Sequence, residues 1–289
     1  HLDNSGSPEP NLSIAHHPGP KSAPIMAAIH AASMRMLKQA VTNHRTQIND
    51  YDHTGKAPLH AACMTPSNIK REILPYLLDM KADCNLQVNE ADDHATAMHL
   101  KGASPLQLAV IDGDMTTVDM LLARKANPRQ RKKGGDHSGT TPLMTSAMAI
   151  TSADELFTLL LPLSNINEVD DDGNSAVHFC CLHDMNVLVK RAAAFNADIN
   201  LANRDGMTPF RLAVASGSFR TAQSLVRLHA RVNWEQIVKE SSVSRVMRLV
   251  CFLDDWRLEK ESPTPDTHRE THLRTLCQAS FLQCSRDLH

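Results

Sequence analysis

The chain has 289 residues, 30 Lys and Arg against 32 Asp and Glu for a formal net charge of -2, and 42% hydrophobic but only 4% aromatic residues. That balance excludes a globally basic nucleic-acid binder and gives no attraction to an anionic membrane surface. A core so poor in aromatics has to be built from Leu, Val, Ile, Met and Ala, which suits thin helical layers better than a β-sandwich.

Residues 1–22, rich in Pro, Gly, Ser and His and without a hydrophobic period, are expected to be a disordered lead-in. From Ser22 onward one pattern recurs: "SAPIMAAIHAA", then "GKAPLHAAC" from Gly55, "GASPLQLAV" from Gly102, "GTTPLMTSA" from Gly139, "GNSAVHFCC" from Gly173 and "GMTPFRLAV" from Gly206. The Pro-equivalent positions, Pro24, Pro58, Pro105, Pro142, Ala176 and Pro209, are separated by 34, 47, 37, 34 and 33 residues. A period near 33 residues with a T-P-L-H-x-A-like core resembles the ankyrin repeat. The resemblance implies an all-α solenoid of about six helix-turn-helix repeats with hairpin loops over residues 23–233, followed by a C-terminal helical extension.

Each position in the pattern has a physical job. The glycines supply a turn backbone that other residues adopt only at a cost. A Ser or Thr then caps a helix whose first turn tolerates Pro. Asp52, Asp136, Asp170 and Asn203, each three residues before a glycine, suit the start of that turn. Further on, Leu77–Leu78, Leu121–Leu122, Leu159–Leu160 and Leu225–Val226 are expected to face the neighbouring repeat, with Ala192–Ala193 a thinner place. Where the family ends its second helix on a left-handed Gly, this chain has Lys81, Lys125, Asn196 and His229. Lys and His there should each cost roughly 1 kcal/mol, so the array should be softer than a consensus one.

Side chains with chemical potential have ordinary readings beside the sharp ones. His60 and His178 take the His of the family motif, which implies a bridge between neighbouring turns. "VHFCCLHD" offers His178, Cys180, Cys181 and His183 to a zinc ion, but adjacent cysteines on a helix diverge by about 100°, and packing accounts for them better. The basic run Arg129, Arg131, Lys132 and Lys133 is either a nuclear-import or nucleic-acid patch or a solvated loop. The insertion from Val88 to Lys101 is either a specificity element or an unselected bulge. No nucleophile elbow, phosphate-binding glycine loop or HExxH helix is present. The expectation is therefore no enzyme, no cofactor and no metal. Partner contacts are expected at the hairpin tips, on His53, Thr54, Asp171, Asp172, Arg204 and Asp205.

Residues 234–260 keep helical periodicity without the motif and are expected to be degenerate capping helices. A Pro-containing linker precedes "THLRTLCQASFLQCSRDLH", which places Leu273, Leu276, Cys277, Phe281 and Cys284 on one helical face. This stretch resembles the first helix of a SOCS box, although His272 stands where that motif prefers a small residue. Residues 261–289 would then be a linker and a partial SOCS box, with Leu273 and Cys277 as anchors on elongin C and Phe281 at the next apolar position. Two functions follow as expectations. One is a protein–protein interaction scaffold that acts as substrate-recognition adaptor of a cullin-RING ubiquitin ligase, with elongin B/C and a cullin as partners. The other is an ankyrin scaffold, or a nuclear or cytoplasmic regulatory cofactor, whose last helix is only a cap. The seven cysteines include no CxxC pair, which suggests a reduced, intracellular setting, and no apolar run approaches the roughly 18–20 residues of a membrane span.

Overall fold

The structure is a computed structural model describing residues 23–89, 100–149, 151–233 and 236–237. Its helices fall into six successive pairs. These are α1 (Ala23–His30) with α2 (Met34–Asn43), α3 (Pro58–Cys63) with α4 (Ser67–Asp79), and α5 (Pro105–Asp112) with α6 (Met115–Ala123). They continue as α7 (Pro142–Ser146) with α8 (Ala153–Leu160), α9 (Ala176–Leu182) with α10 (Asn186–Ala194), and α11 (Pro209–Ser216) with α12 (Phe219–Arg227). The first helices stack on one another in an unbroken row, and α8, α10 and α12 stack likewise behind them. The all-α solenoid expected from the repeat is therefore what the chain builds.

Local sequence explains the helix starts. Ser104 forms a capping box with Gln107: its Oγ accepts the Gln107 N–H at 3.3 Å, while its own N–H donates to Gln107 Oε1 at 3.0 Å. Thr141 and Thr208 cap α7 and α11 through their hydroxyls. The residue after each Pro position, Ile25, Leu59, Leu106, Leu143, Val177 and Phe210, is buried. Behind them Leu77, Leu121, Leu160 and Leu225 are fully buried on the second helices, and Ala192 takes that place in the fifth pair. A buried Leu contributes on the order of 2 kcal/mol, so the fifth layer is thinner, as the sequence suggests. The buried apolar residues form one continuous seam from Ile25 to Ile237.

The ends of the second helices repeat one geometry. Lys81, Lys125, Asn196 and His229 have φ of 69°, 67°, 61° and 61°. In each case the next residue's N–H closes back on the helix at 3.0 Å: Ala82 to Leu77 O, Ala126 to Leu121 O, Ala197 to Ala192 O and Ala230 to Leu225 O. This is a Schellman closure carried out without glycine. The fourth pair differs because Pro162 lies in a 3-10 turn over Leu161–Leu163 that ends α8 instead.

Two further devices join the layers. An asparagine ladder runs along the loops that follow the second helices. Asn49, Asn85, Asn167 and Asn200 accept, through Oδ1, the backbone N–H of Asp83, Asn127, Asp198 and Arg231 at 2.9, 2.7, 2.7 and 2.6 Å. It breaks between the third and fourth repeats, where Arg129 stands in place of Asn and donates to Leu163 O at 3.0 Å. The second device is a buried charge. Lys70 on α4, 2% exposed, places Nζ 2.8 Å from Asp112 Oδ2 and 3.1 Å from Asp114 Oδ2 in the next repeat. Burial opposes its positive charge, but the two carboxylates outweigh that and hold Lys70 above the ordinary lysine value.

Candidate protein-binding face

The loops before the first helices form hairpin tips. Each is closed by a backbone hydrogen bond: Asp52 N–H to Lys56 O at 2.9 Å, Val88 to Ala103 at 2.9 Å, Lys132 to Thr140 at 2.8 Å, Asp170 to Asn174 at 2.9 Å and Asn203 to Met207 at 3.0 Å. Asp52, Asp170 and Asn203 also accept two N–H groups of their own turn through Oδ1, which fixes a tight loop. Asp136 does not have the role its spacing suggests. The hairpin of the fourth repeat is closed by Lys132, because residues 133–138 enlarge the loop, and Lys132 Nζ donates to the Asp136 carbonyl. Val88 closes the third hairpin in the same way, at the start of the long insertion. Residues 90–99 of that insertion lie outside the described residues.

Successive tips are tied by a backbone ladder. The N–H groups of Asn89, Lys133, Asp171 and Arg204 donate to Gly55 O, Gly102 O, Ser138 O and Asp172 O at 2.8, 3.2, 3.0 and 2.9 Å. A positive φ favours glycine at the tips, and at Gly102 and Gly139 this close approach excludes a side chain as well. At Gly102 a Cβ would lie 1.8 Å from Lys133 O, and at Gly139 it would lie 2.6 Å from the Asp171 nitrogen. Of the expected contact residues, His53, Asp171, Asp172, Arg204 and Asp205 are exposed on these tips and Thr54 is half-buried. Asp171 is already engaged, since Ser138 Oγ donates to it at 2.6 Å and Arg131 at 2.9 Å. The Ser138 hydroxyl first, and then Arg131, hold its carboxyl below the usual carboxylate range. Leu273, Cys277 and Phe281 lie outside the described residues.

The basic run acts as a strut between repeats. Arg129 and Arg131 donate to the carbonyls of Leu163 and Val169. Lys132 is buried against its own loop, and burial lowers its pKa. Arg129 and Lys133 are exposed, Lys133 at the tip itself.

The motif histidines are bridges. The Ala57 N–H donates to His60 Nδ1 at 3.1 Å, so Nε2 carries the proton and donates to Leu86 O at 3.0 Å. His178 does the same between Ser175 and Met207 O, at 3.1 Å on each side. Burial pushes His60 down to about 4, against its backbone hydrogen bonds, and lowers His178 as well. Cys180 and Cys181 are fully buried, and burial raises both thiols. Their surroundings favour packing over reactivity. Among the described residues no three His, Cys, Asp or Glu side chains converge as a metal site.

One surface feature is absent from the sequence reading. Six residues after each Pro position from the second repeat onward stand Met64, Ile111, Met148, Leu182 and Ala215, where the first repeat has His30. Met64 is 49% and Leu182 39% exposed, and Ile111, Met148 and Ala215 are half-buried. Met64 lines one cleft with Asp52, His53, Thr54 and Lys56 of its tip, and the equal register sets the other four at the same position in their own repeats. Further along that face, the His137 ring from the fourth tip packs edge-on against Phe179, with centroids 5.7 Å apart. The equal register of these residues, read as a column rather than along the chain, was the signal available.

Paired helices entered at Pro, His or Gln bridges and tied hairpin tips define an ankyrin-repeat solenoid. The family models agree: residues 101–133 match the ankyrin repeat and residues 146–234 match three copies of it. The chain therefore contains ankyrin repeats, a fold that serves as a protein–protein interaction scaffold. It is similar, at 28% identity over 184 residues, to the human transient receptor potential cation channel subfamily A member 1, covering 62% of this chain but 15% of the channel. It is 30% identical over 131 residues to the mouse neurogenic locus notch homolog protein 1, covering 45% of this chain and 4% of that protein. A variola virus ankyrin repeat protein is 27% identical over 117 residues, with 40% of this chain and 20% of the viral protein covered. Among solved structures, a chain from the Bdellovibrio bacteriovorus predatory endopeptidase in complex with its immunity protein superimposes with a TM-score of 0.57 at 22% identity. That match covers 71% of this chain and 97% of the other and shows the shared fold. Among the described residues, no helix is long and apolar enough to cross a membrane.

Proposed function

We propose that this chain is an intracellular recognition module that holds a partner protein against the face formed by its first helices and hairpin tips. The carrying observation is the register-matched apolar column from Met64 to Leu182, left accessible beside polar tips. An apolar centre with a polar rim is the composition of a protein interface. The reading is non-enzymatic, since the buried histidines and cysteines are engaged in bridges and packing. The test is quantitative affinity capture from cells with wild type and with Met64→Asp and Leu182→Asp, each checked for an unchanged melting temperature. Loss of the same captured protein in both variants supports the reading, and unchanged capture removes it.

A second, finer reading makes the module the receptor of a cullin-RING ubiquitin ligase. It is supported by the Leu273, Cys277 and Phe281 pattern placed after the array. In this reading 1–22 is a lead-in, 23–233 the recognition array, 234–260 its cap, and 261–289 the linker with a partial SOCS box. Co-purification with elongin B and elongin C that is lost on Leu273→Ala with Cys277→Ala would support it. No binding by the folded wild type would leave the last helix as a cap.

A further inference from the structure

We infer that the N-terminal end of this face is an anchor pocket for a large apolar, preferably aromatic, side chain flanked by carboxylates on an acidic partner segment. This rests on the recognition reading and specifies the chemistry of what is recognised. A cleft of 460 Å³ opens between α1, α3 and the second hairpin tip, within the range of sites that enclose a side chain or small ligand. Its walls are Met26, Ile29, Met64 and Ile69. Its floor is lowered by Ala61, where the later repeats place Leu108, Thr145, Phe179 and Leu212. The cleft is thus open at the second repeat, whereas in the fifth repeat the place of Ala61 is filled by Phe179, against which His137 packs, and Leu182 beside it stays accessible. Unbranched Met walls adapt to the shape of an inserted group.

The rim decides the charge of the occupant. Lys56, His30 and His53 line it with an ammonium and two imidazoles. Among the described lining residues the single carboxylate is Asp52, whose Oδ1 already accepts from the Thr54 N–H at 2.8 Å, the Thr54 hydroxyl at 2.7 Å and the Lys56 N–H at 2.9 Å. With Oδ1 turned to its own loop, the rim sets one ammonium and two imidazoles against the remaining Asp52 Oδ2, a balance of donors that favours a carboxylate over an ammonium group.

The test uses the full chain and three fluorescein-labelled peptides, Gly-Ser-Glu-Trp-Glu-Ser-Gly, the same with both Glu replaced by Lys, and the same with Trp replaced by Gly. Anisotropy should show the Glu–Trp–Glu peptide binding at least tenfold more tightly than either control. Lys56→Glu, at a half-buried position and with an unchanged melt, should reverse the preference between the two Trp peptides. Ala61→Phe, with an unchanged melt, should abolish binding of both. Equal binding of the three peptides, no binding, or an order unchanged by Lys56→Glu would overturn the pocket. Binding only after removal of residues 1–22 would overturn it too, by assigning the cleft to the chain's own segment. If the pocket fails while Leu182→Asp still loses the cellular partner, the recognition reading stands without it.

Discussion

His60 and Gln107 hold the same position in successive repeats and make the same pair of bonds. Each accepts its own helix-capping N–H, from Ala57 and Ser104, and each donates across the seam, His60 to Leu86 O at 3.0 Å and Gln107 to Thr140 O at 2.8 Å. One is titratable and the other is not, which makes the pair an internal control for what the buried imidazole does to stability. His60→Gln should therefore stay within about 1 kcal/mol of wild type at neutral pH, whereas His60→Ala, which strands the buried Ala57 N–H and the half-buried Leu86 carbonyl and empties a buried site, should cost about 2–4 kcal/mol. Urea titration at pH 7 checks both.

The same pair predicts the acid limb. The folded chain keeps His60 neutral down to about 4, while the unfolded chain protonates it near 6.5. The unfolded state thus binds the proton first as pH falls. The stability from the neutral imidazole is fully present above about 6.5 and is lost progressively towards 4, up to roughly 3 kcal/mol. His178 is lowered in the same direction. Stability curves between pH 7 and 4.5 should be visibly shallower for His60→Gln than for wild type, with a residual slope from His178. Parallel curves would contradict this.

Lys70 should behave as a buried partner that its carboxylates need. Lys70→Met leaves Asp112 and Asp114 facing an apolar side chain, and Asp114 also caps α6 by accepting the Thr117 N–H at 3.1 Å. The expected loss is about 2–4 kcal/mol, read by thermal and urea melts. Asp112→Asn should cost less, because Asp112 is 55% exposed and Asp114 remains to hold the ammonium.

The left-handed helix ends offer a gain. Lys125→Gly and Lys81→Gly keep the Schellman closures and remove a Cβ from φ near 67° and 69°. Each should stabilise by about 1 kcal/mol, and the two together by about 2 kcal/mol, since they lie in different repeats. Asn196 already tolerates the left-handed region better than Lys does, so Asn196→Gly should gain less. A fall in melting temperature for Lys125→Gly would contradict the account.

The tip strut is testable through Arg131. It joins the fourth tip to the Val169 carbonyl and to the Asp171 carboxylate. Arg131→Ala should speed amide exchange at Asp171 and Gly173 by several-fold while leaving exchange at Leu59 and Ala61 unchanged, because coupling in a solenoid is to nearest neighbours. Uniform loss of protection would point to global destabilisation instead.

Much of this architecture was legible in the chain because each repeat solves the same local problem. Pro after a capping hydroxyl, Gly where two tips nearly touch, and Lys81, Lys125, Asn196 and His229 at the left-handed ends could all be assigned from position. Asp136 misled because spacing from Gly139 cannot show that a loop has been enlarged from its middle, which passes hairpin closure to Lys132. Lys70 left a signal that went unread: it lies on the same helical face as Ile73, Leu74 and Leu77, where a charge demands a buried counter-ion. The partners, Asp112 and Asp114, are set by stacking and carry no local mark. The apolar column from Met64 to Leu182 was hidden for a related reason. Its members are ordinary apolar residues on or just past short helices, and only alignment of the layers shows that they share a register.

Recognition through the first-helix face can be read out by site-specific photocrosslinking. A benzophenone side chain is placed in turn at Leu182, 39% exposed on that face, and at Phe195, 51% exposed at the end of the second helix α10. Irradiation in cells should join one partner protein at Leu182 and leave Phe195 uncrosslinked to it. Crosslinking of that partner at Phe195 with none at Leu182 would contradict the account and move recognition to the opposite layer of the solenoid.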